Sequence, residues 1–138
     1  MIHKTPPPYS ANGRDDAMPD LNSTIDKYIC WPYSHTDALV RHARFKACAK
    51  FAAKLAMEGF VVLAPIAHSH PLAIYGGLDG DWDFWRKQDE AFIRASKEVL
   101  VPKVDGWDTS VGINQEIYYA ESLGIPVVFQ DMGDDDGY

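Results

Sequence analysis

A chain of 138 residues with 46% hydrophobic and 24% charged residues has the make-up of one globular domain built around a single substantial core. Its formal charge of -7 leaves no basic surplus to neutralise phosphates, which excludes a nonspecific binder of nucleic-acid polymers. No apolar run approaches the roughly 20 residues of a membrane span, no signal-peptide pattern opens the chain, and Cys30 and Cys48 make no disulfide framework, so a cytoplasmic protein with small-molecule or protein partners is expected.

Residues 1–26 carry Pro6, Pro7, Pro8, Gly13 and Pro19 with little periodicity and read as a flexible N-terminal arm. Asp131, Asp134, Asp135 and Asp136 make residues 131–138 an acidic tail, leaving 27–130 as the folded domain. Within it, Tyr28 to Trp31 is a short apolar run that stops at Pro32, which predicts a buried strand. After a loop through Tyr33, Thr36 or Asp37 can cap a helix from Ala38 to about Glu58. Val40, Cys48, Phe51 and Leu55 lie on its inner side, and Lys46, Lys50 and Lys54 form a solvated row. Gly59 ends that helix and Phe60 to Pro65 reads as the second strand. The stretch 66–81, with His68, His70, Gly76, Gly77 and Gly80, reads as a long loop able to act as a lid. A helix from Trp82 to Ser96, a strand from Glu98 to Val104, a helix from Val111 to Leu123 and a strand from Ile125 to Gln130 complete the pattern.

Strands alternating with helices predict right-handed crossovers and a parallel sheet covered on both faces. The expected fold is α/β, a three-layer flavodoxin-like (Rossmann-like) sheet in the order 2-1-3-4. A crevice then opens where the chain reverses, beyond the carboxyl ends of the first and third strands. Tyr33 and the loop Gly106 to Ser110 lie there. Pro102 resists the pattern, because it cannot donate to a ladder in a strand placed centrally.

Two acids sit where apolar residues belong. Glu116 falls about 40° from Ala120 on a helical wheel, inside the stripe of Ile113 and Ile117, and Asp89 falls about 40° from Trp85. A carboxylate on a buried stripe is paired, neutralised or functional. Two of them at one end of a sheet suit glycosidic chemistry, with one carboxylate attacking the anomeric carbon and an acid of raised pKa protonating the leaving group. Small residues and hydroxyls precede Glu116 at a predicted helix N-terminus, a place to hold an anion or a sugar hydroxyl. His68 and His70, one residue apart, would point the same way in an extended segment; two ligands without a third make no metal site, and contact with a ligand is the better expectation. Trp107 beside the glycine loop can stack on a ring. The glycines of 76–80 lack the spacing of a phosphate-cradling loop, and neither metal nor cofactor is expected.

Tyr33 in its C-W-P-Y-S loop, Asp89, and S-V-G-I-N-Q-E from Ser110 to Glu116 resemble the nucleoside 2-deoxyribosyltransferases and the related 2'-deoxynucleoside 5'-phosphate N-hydrolases. The A-P-I-A-H-S-H-P-L and G-W-D-T-S segments look most like a bacterial and phage branch of that group. The resemblance implies that Glu116 is the nucleophile, Asp89 the acid assisting the leaving base and Tyr33 the hydroxyl orienting the nucleophile. It also implies that Ser110, with backbone near Gly112, holds a 5'-phosphate or faces a free 5'-hydroxyl, and that a second subunit closes the pocket of a homo-oligomer. The chain departs from the group in Lys97 and Glu98, where an aspartate is common, in Pro102 and in the stretch 66–81. A rival from another class is a module that holds a nucleotide or an ADP-ribose-like ligand without turning it over; two buried carboxylates beside an anionic ligand count against it.

Overall fold

The computed structural model describes residues 23–78 and 80–133, and most of the expected N-terminal arm and acidic tail lies outside them. The elements run β1 (Lys27–Ile29), α1 (Ala38–Met57), β2 (Val62–Leu63), α2 (Pro65–Gly76), α3 (Trp82–Arg94), β3 (Val99–Pro102), α4 (Val111–Ser122) and β4 (Val127–Gln130). The strands form one parallel sheet in the order β2-β1-β3-β4, as the alternation of apolar runs and helices predicts.

Side chains alternate across a strand, and that period of two sorts the core into two halves. Ile29, Trp31 and Leu100 meet Cys48, Phe51 and Leu55 of α1 and Ile66 of α2 on one face. Tyr28, Cys30, Val99 and Val101 meet Ile93 of α3 and Ile113 and Ala120 of α4 on the other. The result is three layers. Each fully buried aliphatic or aromatic side chain contributes about 2 kcal/mol by leaving water, so burial on both faces offsets the shortness of the ladders. Among the described residues no helix is long and apolar enough to cross a membrane.

Pro102 fits at the end of β3. The amides of Val99 and Lys103 donate to Pro126 and Gln130 on the β4 side, whereas the carbonyl of Leu100 accepts from Cys30 on the β1 side. The nitrogen of residue 102 therefore faces β1, where registered pairing has stopped at Ile29 opposite Leu100, and no ladder bond is lost. Lys97 and Glu98, the departures before β3, are taken up in ion pairs with Asp26 at 3.1 Å and Lys27 at 2.7 Å.

The stretch 66–81 is not a long loop. Its first part is α2, with Pro65 in the first turn, where a fixed φ and a missing N–H cost nothing. Gly77 closes the helix in the left-handed region at φ 72°. Pro71 inside it and the glycine pair at its end disguise the helix in sequence, but Ile66, Ser69 and Ala73 make a regular i, i+3, i+7 stripe.

Candidate active site

A cavity of about 500 Å³ opens beyond the carboxyl ends of β1 and β3. Its wall includes Trp31 to Ser34 after β1, Ile66, Ser69 and Ala73 of α2, Trp82, Trp85 and Asp89 of α3, and Gly106 with Thr109 to Ile113 and Glu116 around the start of α4. Tyr33, Asp89, Ser110, Gly112, Gly106 and Glu116 are thus brought together from three separate segments.

Glu116 is 7% exposed, on the inner face of α4. It accepts a short hydrogen bond from the hydroxyl of Tyr28, and the Cys30 thiol also contacts it. Burial pushes its carboxyl up to about 8, the charge of Asp89 adds to that, and the bonds from Tyr28 and Cys30 pull the other way. Asp89, half-buried one face along on α3, is raised to about 7 by burial and by the neighbouring Glu90. Burial and the Glu116 charge push both the Tyr28 hydroxyl and the Cys30 thiol well above their usual ranges, so each stays protonated and able to donate.

The loop into α4 is held from several sides. Gly106 has φ 89°, a left-handed turn that favours glycine, and a Cβ there would come within 3.2 Å of the Arg44 guanidinium and press on it. Ser110 caps α4 by accepting from the Ile113 amide at 3.2 Å, which leaves its own proton available to the cavity. Asn114 reaches back to the carbonyls of Asp108 and Ser110 and fixes the loop against the helix. Arg44 enters the wall from α1, anchored by Nη1 on the Ser34 carbonyl at 3.0 Å. Among the described residues no carboxylate lies within ion-pair distance of it.

A family model for a domain of unknown function, DUF1937, matches residues 26–132. The chain belongs to the DUF1937 family. No curated protein matches it. Among the described residues, the matched span of this DUF1937 domain contains every strand, every helix and the whole wall of this cavity.

Several expectations for the DUF1937 site need correction. The hydroxyl that reaches Glu116 belongs to Tyr28; Tyr33 lines the cavity but its hydroxyl lies 2.7 Å from His70 Nδ1. Because α2 is helical, His68 and His70 diverge by about 200° around its axis. His70 is buried against α1 and His68 is exposed, edge-on to Phe92, and neither is on the cavity wall. Trp107 packs on Phe129 with ring centroids 5.7 Å apart and is not on the wall, where the indoles are those of Trp31, Trp82 and Trp85. Among the described residues no three His, Cys, Asp or Glu side chains gather to hold a metal.

Tyr28, Arg44 and Ser69 were not singled out from sequence. A signal for Tyr28 was present: alternation along Y-I-C-W puts Tyr28 and Cys30 on the face that α4 covers, and Tyr33 lies beyond the strand. Arg44 carried no such mark, since an arginine on an amphipathic helix reads as solvated.

Proposed function

We propose that the protein cleaves or transfers the N-glycosidic bond of a (deoxy)nucleoside or nucleoside 5'-monophosphate by a retaining, two-step reaction through Glu116. The observation that carries this reading is a buried glutamate, hydrogen-bonded by a tyrosine hydroxyl, sharing one cavity with a second acid of raised pKa. The Glu116 carboxylate attacks the anomeric carbon, the bond to the base breaks, and the base leaves with the proton of Asp89. Water or a second base then attacks the same carbon, its proton passes to the Asp89 carboxylate, and the bond to Glu116 breaks, returning both acids to their starting forms.

The two acids together hold about one proton near neutrality. The greater burial of Glu116 favours the proton there, opposite to the arrangement the first step needs. Burial raises both carboxyls, so neither holds the proton by a wide margin and substrate binding can draw it to Asp89. Tyr28 and Cys30 favour the reactive form by donating to the Glu116 anion. Trp82 and Trp85 offer flat faces to a base. Arg44 and Ser110 lie on the wall with the α4 N-terminus, an arrangement suited to a 5'-phosphate. Exposed Ile74, Tyr75, Phe84 and Val111 surround wall residues of α2, α3 and α4, which suits closure of the mouth by a second copy.

Incubation with a panel of nucleosides, their 5'-monophosphates and NAD, with free base measured by chromatography, tests the reading. Release by the wild type and loss in Glu116→Ala are expected. Thermal stabilisation by a nucleotide without release of any base would replace the enzyme by a binding module.

A further inference from the structure

Behind Tyr33 a line of hydrogen-bonding rings runs from the cavity to the surface. Tyr33 Oη lies 2.7 Å from His70 Nδ1, and His70 Nε2 lies 3.3 Å from His42 Nδ1. His70 is only 4% exposed and stacks on Phe45 with centroids 4.3 Å apart, whereas His42 is exposed on α1. Both ring nitrogens of His70 are therefore engaged. A neutral imidazole donates through one nitrogen and accepts through the other, so the line can run in either direction, and a proton added to His42 removes its Nδ1 acceptor and leaves only one of these settings.

In the first, Tyr33 donates to His70 Nδ1, His70 donates through Nε2 to His42, and the lone pairs of Tyr33 face the cavity. In the second, His42 carries protons on both nitrogens and donates through Nδ1 to His70 Nε2. His70 then donates through Nδ1 to the Tyr33 oxygen, and the Tyr33 proton is free for the cavity. The settings differ by one proton: His42 gains one, His70 keeps one but moves it from Nε2 to Nδ1, and Tyr33 keeps one and turns it.

We propose that His70 and His42 are positioning residues for Tyr33, the charge on His42 deciding through the tautomer of His70 whether Tyr33 offers the cavity a hydrogen-bond acceptor or a donor. From α1, His42 and Arg41 face His70, and Tyr33 faces it from the loop after β1; among the described residues neither histidine is hydrogen-bonded or ion-paired to a carboxylate. Burial, followed by the positive charges of His42 and Arg41, lowers the pKa of His70, which favours the neutral ring that such a relay needs. The inference rests on the cavity being a ligand site and is independent of glycosidic chemistry.

Long-range nitrogen–proton correlation spectra of the full chain, labelled at histidine and titrated from about pH 5 to 9, read the tautomers directly. His70 is expected to remain neutral, to carry its proton on Nε2 at high pH and on Nδ1 at low pH, and to switch with the same midpoint as the charging of His42. In His42→Ala, a change at an exposed position, the tautomer of His70 should no longer depend on pH. One unchanging tautomer in the wild type, an imidazolium at His70, or a switch that persists in His42→Ala would each overturn the proposal. These spectra need no substrate, so a failure of base release leaves their outcome unaffected.

Discussion

Replacing Glu116 by Gln removes a buried ionisable group while keeping an oxygen that can accept from Tyr28. In the folded chain the carboxyl is raised from its ordinary 4.5 to about 8, chiefly by burial. Between those pH values the folded chain holds a proton that the unfolded chain has released, so stability falls as pH rises across the window and levels off above about 8. At about 1.4 kcal/mol per pH unit the loss attributable to Glu116 is on the order of 5 kcal/mol. Asp89, raised to about 7, adds a loss of the same sign over a lower window that the substitution leaves in place. Urea unfolding of both chains at about pH 5 and 9 isolates the Glu116 share as a difference of differences. Stability curves that run parallel within about 1 kcal/mol would refute the assignment of Glu116 as a buried acid protonated at neutrality.

Tyr28→Phe should cost about 1–3 kcal/mol and raise the Glu116 carboxyl further, seen as a later carboxylate band on infrared titration, whereas Tyr33→Phe should leave that band in place. Arg44→Ala should weaken binding of a nucleoside 5'-monophosphate by about tenfold or more and that of the free nucleoside little, as measured by calorimetry. Pro71 interrupts the hydrogen-bond ladder of α2, so Pro71→Ala should stabilise the protein by about 1–3 kcal/mol in denaturant unfolding.

The sheet order and three of the helices are legible in sequence because their signals are periodic and redundant: apolar strands, amphipathic helices, and a cap at Thr36 or Asp37, which the structure assigns to Asp37. Glu116 and Asp89 are legible for the opposite reason, as charges that break an apolar stripe. Helix α2 is not, because Pro71, a histidine pair and two terminal glycines imitate a loop and mask the Ile66, Ser69 and Ala73 stripe, and tertiary packing of Ile66 and His70 favours the helix. Tyr28 is a subtler case. A tyrosine inside a buried strand reads as core, and its role depends on the polar atom at the end of its ring meeting Glu116, 88 positions away in sequence. Arg44 and the Tyr33–His70–His42 line likewise exist only through the meeting of α1 and α2 with the loop after β1, contacts that no local pattern encodes.

The central claim is that Glu116 bonds covalently to the sugar. Acid quenching during turnover of a cleavable nucleoside or nucleoside 5'-monophosphate, followed by intact and peptide mass spectrometry, tests it most directly. The expected result is a mass increase of one sugar unit, with its phosphate if present, confined to the peptide containing Glu116 and absent in Glu116→Gln. Base release with no adduct at any quench time, or an adduct on another residue, would contradict it.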